Sequence, residues 1–192
     1  MRPTDTLRLC TLLGTVLMLV LTSVAALAQA PPCPSGGSGL VTPSTLGGGI
    51  LDGRGVGAVS LGASPSDVER VWGLPENCAP QKEGYAYNYF LTEDGGQTGW
   101  LVAVVFVDSK AAELLVTAVP HGRGPGPKIQ TARGVGLFDS ADEVRRRYGA
   151  PGSGSDRYDL YVSDGIAFSR SRGLVGAIHV FRPGTTPAMM RP

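Results

Sequence analysis

One stretch occurs twice in this chain, and it constrains the fold more than any other feature. It runs from Val59 to Pro75 and again, 76 residues further on, from Val135 to Pro151. The copies align without a gap. Val59/Val135, Leu61/Leu137, Ser64/Ser140, Val68/Val144, Gly73/Gly149 and Pro75/Pro151 are identical, and Asp67 stands opposite the like-charged Glu143. Each copy reads as a short helix. Ser64 and Ser140 are N-cap residues whose hydroxyls accept from free N–H groups of the first turn. The acid three residues on completes a capping box, for which Glu143 is the better fit and Asp67 the shorter one. Pro65 takes the first helical position, where its missing donor costs nothing. Val68, Val71 and Trp72 lie on one face, as do Val144 and Tyr148 in the second copy. Gly73 and Gly149 predict left-handed stops, and Pro75 and Pro151 block continuation. A helix of about three turns is marginal alone, so tertiary packing must hold it.

β-rich sequence follows each copy. Residues 84–90 alternate, which puts Tyr85, Tyr87 and Tyr89 on one strand face. Residues 93–99 read as a turn, and 100–107 as a strand apolar on both faces. Residues 111–119 suit a strand or a helix, and periodicity does not decide between them. After the second copy, 157–162, 165–170 and 174–181 read as strands joined by the tight turns Ser163-Asp164-Gly165 and Ser171-Arg172-Gly173. The expected fold class is α+β: two tandem repeats, each a short helix packed on a roughly three-stranded antiparallel sheet. The first repeat spans 55–119, a Gly/Pro linker 120–133, the second repeat 134–182, and a Pro/Thr/Met tail 183–192. Neither unit buries much core alone, so the two are expected to pack as one domain of about 130 residues.

Upstream, residues 1–30 have the pattern of a secretory signal. Arg2 and Arg8 precede an apolar run from Thr11 to Leu27, and Ala28-Gln29-Ala30 fits the small-x-small cleavage pattern. The run is also near the length of a membrane span, so an uncleaved anchor is the alternative. Cys10 precedes the run and Cys33 follows Pro31-Pro32, neither of which resembles a lipobox. Cleavage after Ala30 takes the formal charge from +1 to 0 and gives no electrostatic case for nucleic acid or an anionic surface. It leaves two cysteines, Cys33 and Cys78, which an oxidising compartment would join. Residues 31–54, rich in Pro, Gly, Ser and Thr, read as a flexible leader.

The run Leu-Gly-x-Ser-x-x-(Asp/Glu)-Val-x-x-x-(aromatic)-Gly-x-Pro, with strands after it, resembles the SmpA/OmlA repeat of an outer-membrane assembly lipoprotein. Its tandem arrangement is similar to the fold of the β-lactamase inhibitory proteins. Leu61-Gly62, Ser64, Asp67-Val68 and Gly73-x-Pro75 carry the resemblance, with Leu137, Ser140, Glu143-Val144 and Gly149-x-Pro151 in the second copy, where Phe138 replaces the glycine. The resemblance implies a secreted or periplasmic protein-binding module rather than an enzyme, with a concave sheet as its binding face.

The residues themselves show no catalytic constellation. His121 lies in the linker and His179 in the last strand, and neither has zinc-ligand spacing around it. The rival reading, an envelope hydrolase, would use one of them. Gly53-x-Gly-x-Gly57 and Gly134-x-Gly136 lack the strand-to-helix context of a phosphate loop. Arg145, Arg146 and Arg147 read as the solvent face of a helix whose C-terminal end favours cations, with an anion-docking patch as the sharper alternative. The tyrosines are the functional lead. Tyr85, Tyr87, Tyr89, Tyr158 and Tyr161 either form an aromatic protein-binding face or lie buried under the helices. No cofactor or metal is expected. The expected partner is another envelope or extracellular protein, with no nucleic acid, and the membrane is met only through an uncleaved signal.

Overall fold

A computed structural model of the protein describes residues 34, 37–93, 96–119 and 128–191. The expected signal segment and cleavage site, together with Cys33 and His121, lie outside the described residues. In chain order the elements are β1 (Leu40–Val41), α1 (Pro43–Leu46), β2 (Ile50–Leu51), β3 (Gly55–Val56), β4 (Val59–Ser60), α2 (Pro65–Trp72), β5 (Asn77–Gln81), β6 (Gly84–Glu93), β7 (Gly96–Val107) and β8 (Lys110–Ala118). Then follow α3 (Ala141–Tyr148), β9 (Ser153–Gly154), β10 (Tyr158–Tyr161), β11 (Ile166–Ser171), β12 (Leu174–Phe181) and a 3₁₀ turn at Ala188–Met190.

The two repeated stretches do form helices. In α2 the Ser64 hydroxyl accepts from Asp67 N–H, and the Asp67 carboxylate accepts from Ser64 N–H at 3.0 Å, closing the capping box. In α3 the Ser140 hydroxyl accepts from Glu143 N–H at 3.1 Å, but the box stays open. Glu143 is turned forward instead, to Arg146 and to Arg147 Nε. The shorter acid therefore caps and the longer one does not, because one turn on the longer one finds two guanidinium groups. Gly73 (φ 78, ψ −170) and Gly149 (φ 82, ψ −161) end the helices in an extended positive-φ region rather than the expected left-handed helical one.

The expectation of two tandem helix-on-sheet repeats is overturned. The structure is mostly β: one nine-stranded mixed sheet in the order β1-β6-β7-β8-β12-β11-β10-β9, with β5 also on β6, and a separate three-stranded sheet β2-β3-β4. The sheets of the two expected units merge because β8 pairs antiparallel with β12, from Ala177↔Thr117 to Phe181↔Glu113. That pairing also explains why residues 110–118 are a strand: their backbone is bonded by β7 on one side and β12 on the other. The hairpin before it is tighter than expected, since β7 already begins at Gly96.

The reading of 31–54 as a flexible leader fails for residues 40–54. Leu40–Val41 adds in parallel to β6 against Phe90 and Leu91. Val41, Leu46 and Ile50 are buried in the main core. Apolar content there is low, but Val41, Leu46 and Ile50 each anchor an element, while Leu40 and Leu51 stay exposed. The glycines serve close approach rather than looseness: Ile50 N–H donates to Gln130 O, and a Cβ on Gly49 would stand 2.7 Å from that oxygen.

Register assigns every strand residue to a face. Tyr87, Val104, Leu114, Val180 and Ile166 lie on the face that α2 and α3 cover, within one cluster of buried residues that runs across both halves. Burying apolar area at roughly 25 cal/mol per Å² is what stabilises such a layer. The opposite face is the one that positions the site described next.

Candidate functional site on the second sheet face

Of the two alternatives left open for the tyrosines, burial under the helices is the one seen for those on the helix-covered face. Tyr85, Tyr87, Tyr89 and Tyr161 are all buried, Tyr89 completely. Tyr87 packs edge-on to Phe106 at 4.9 Å, and its hydroxyl donates to Glu69 at 2.9 Å. Tyr89 donates to Gly73 O and Tyr161 to Gly149 O, both at 3.1 Å. Each helix thus ends on a carbonyl held by a tyrosine from the sheet beneath it. Burial raises the ionisation of Tyr87, Tyr89 and Tyr148 far above the ordinary range, which keeps the hydroxyls as neutral donors. Tyr158 is three residues from Tyr161 and so lies on the other face, half-buried against Leu160, Ala167 and Phe181. Cys78 is half-buried on β5 opposite Tyr87.

The three arginines are engaged by nearby acids. Arg146 and Arg147 hold Glu143, and Arg145 stands 3.5 Å from the buried Asp159. An anion-docking patch would need free guanidinium groups, so this arrangement favours the plain solvent-face reading.

The second face divides into rows running across the strands, because pairing places residues side by side. One row is Phe90, Leu101, Thr117, Ala177, Ser169 and Tyr158, on β6, β7, β8, β12, β11 and β10. All six are half-exposed. The next row, Ala103, Leu115, His179 and Ala167, is nearly buried. The third row holds Val105, Glu113 and Phe181, each at most 1% exposed. The cover there is the C-terminal tail. Met190 packs against Phe181, Met189 N–H donates to Glu113 Oε2 at 2.9 Å, and Arg191 pairs with Glu83.

His179 joins these rows. Its Nδ1 lies 2.6 Å from Glu113 Oε1, and its Nε2 lies 2.9 Å from Ser169 Oγ. Glu113, His179 and Ser169 therefore form one hydrogen-bonded diagonal across β8, β12 and β11, from the buried row to the open one. With Glu113 ionised and the imidazole neutral, Nδ1 would donate to Glu113 and Nε2 would accept from the Ser169 hydroxyl. A β-bulge follows Ser169 directly, a device that re-aims side chains at sheet sites. Sequence reasoning named His179 but missed its partners. They sit 66 residues before it and 10 before it, and only strand pairing brings them together.

Outside the sheet, Phe138 is the most exposed large apolar residue among the described residues, at 54%, and has φ 69. The position it matches in the first copy is Gly62, with φ 84.

The fold and this face together define a predominantly β chain with helices on one side of its main sheet and a half-open face on the other. No family model matches it, and no curated protein does. Among solved structures it is similar to an extracellular protein containing a SCP domain from Bacillus anthracis str. Ames, at 10% identity and a TM-score of 0.38. The match covers 65% of this chain and 44% of that one, so this chain spans less than half that protein's length. No helix among the described residues is long and apolar enough to cross a membrane.

Proposed function

We propose that this is an exported protein-binding module that engages another envelope or extracellular protein through the open row of its second sheet face. The observation that carries this reading is the row itself. Six half-exposed side chains lie side by side across six strands, apolar at both ends with Phe90, Leu101 and Tyr158, and small or hydroxylic between. Apolar side chains left partly open at the two ends of one row make that row a candidate interaction surface. The signal-like pattern of residues 1–30 supports an exported location for such a module. The binding surface is therefore not the tyrosine cluster but the face behind it.

Site-specific photo-crosslinking tests the proposal. A benzoylphenylalanine at position 101, expressed in the exporting cell, should give a discrete covalent adduct of one partner. The same group at position 146, on the solvent side of α3, should not. Equal adduct patterns from both positions, or none from 101, would sink it.

A further inference from the structure

We propose that Ser169 is an activated nucleophile for acyl transfer, with His179 as its general base and Glu113 as the residue that holds His179. The inference goes beyond the binding reading and stands without it. It rests on graded placement along one diagonal. Glu113 is fully buried, and its two oxygens are both used, one by His179 Nδ1 and the other by Met189 N–H. His179 is 6% exposed, with one ring nitrogen held by the acid and the other aimed at Ser169. Ser169 lies in the open row, beside the small Ala177, where an acyl group could reach it. A buried acid, a shielded imidazole and an accessible hydroxyl, in hydrogen-bond contact in that order, is the arrangement that activates a serine. A sheet serine needing only a polar partner would not require the imidazole to be oriented by a buried carboxylate.

The chemistry balances without a cofactor. Ser169 Oγ forms a bond to the carbonyl carbon of an ester, and its proton passes to His179 Nε2. The carbon–oxygen bond to the leaving alcohol breaks, and that alcohol takes the proton from Nε2. The products are acyl-Ser169 and the free alcohol. Water then cleaves the acyl-serine by the same proton route and releases a carboxylic acid. The substrate class is an ester small enough, or extended enough, to lie on an open sheet.

A fluorophosphonate probe supplies the test, because it bonds to an activated serine oxygen with loss of fluoride. Intact mass should show one adduct per chain, mapped by peptide analysis to Ser169 and absent from Ser169→Ala. His179→Gln should slow labelling by about 100-fold or more, the range a positioned base contributes. Glu113→Gln, which keeps size and an acceptor, should slow it by a smaller factor, and this variant carries the test if His179→Gln fails to fold by circular dichroism. A burst of p-nitrophenol from p-nitrophenyl acetate, equal to the chain concentration and lost in Ser169→Ala, is the second expected readout. No adduct at Ser169, or labelling at an unchanged rate in the folded His179 or Glu113 variant, would overturn the proposal and leave the diagonal as a structural network.

Discussion

At the scale of the residue, the tyrosines show how one side chain serves both the core and the hydrogen-bond inventory. A phenylalanine at position 89 or 161 would fill the same space but leave a helix-end carbonyl without its donor. Tyr161→Phe should therefore cost about 1 kcal/mol, the usual net worth of such a bond. Tyr87→Ala should cost about 3 kcal/mol or more, as truncation of a large buried side chain does. Urea denaturation of the two variants checks both figures. A Tyr87→Ala change within 1 kcal/mol of the parent would mean that the ring is not packed as described. The two helix-end glycines make a second residue-scale case. Nothing stands within 4 Å of where a Cβ would sit on Gly73 or Gly149. Space is available, so the cost of an alanine there is backbone strain alone, about 1–3 kcal/mol for this Gly-only region.

At the scale of the element, the cap of α2 has a pH signature set by Asp67. Hydrogen bonds from the Ser64 hydroxyl and N–H, then from Arg70, lower Asp67 from 3.8 to about 2. A depressed carboxylate stabilises the fold when ionised. Its contribution is fully present above about 4 and is lost as pH falls through about 2. Amide exchange in the first turn of α2 should rise across that window, and Asp67→Asn should flatten the rise. Glu143 does not accept from its cap N–H, so the first turn of α3 should show no matching loss from that source. Asp52 works against this trend, because burial raises it and disfavours its charge while Tyr148 and Arg133 partly offset that effect.

At the scale of the whole molecule, the β8–β12 ladder joins the two halves of the main sheet. One core cluster contains Tyr87 and Val104 from one end of the main sheet and Ile166 and Tyr161 from the other. Asp52, from the segment before α2, accepts from Tyr148 at the end of α3, and Arg133 lies over the Tyr148 ring at 4.4 Å. With no break in the sheet and shared contacts across it, calorimetry should show a single transition whose calorimetric and van't Hoff enthalpies agree. Two separable transitions would indicate that the β8–β12 pairing does not couple the halves.

Some of this was legible in the residues. Ser64, Pro65 and Gly73, with Ser140 and Gly149, specify two short helices because capping and termination are local chemistry between residues a few positions apart. The alternation of Tyr85, Tyr87 and Tyr89 specifies a strand face for the same local reason. What local chemistry could not decide was which face is covered, since that depends on where α2 comes to lie. Nor could it show that β8 and β12 pair, which merges the expected units into one sheet. The same limit hid the short elements of residues 40–54, whose few apolar residues gain their burial from distant strands. It also hid Glu113 and Ser169, whose meeting with His179 exists only once three strands lie side by side. The sequence by itself determined the helices and the strand alternation, through contacts within a few residues. The tertiary structure alone decided the continuous sheet, the buried tyrosines and the Glu113–His179–Ser169 diagonal, because each depends on pairing between distant parts of the chain.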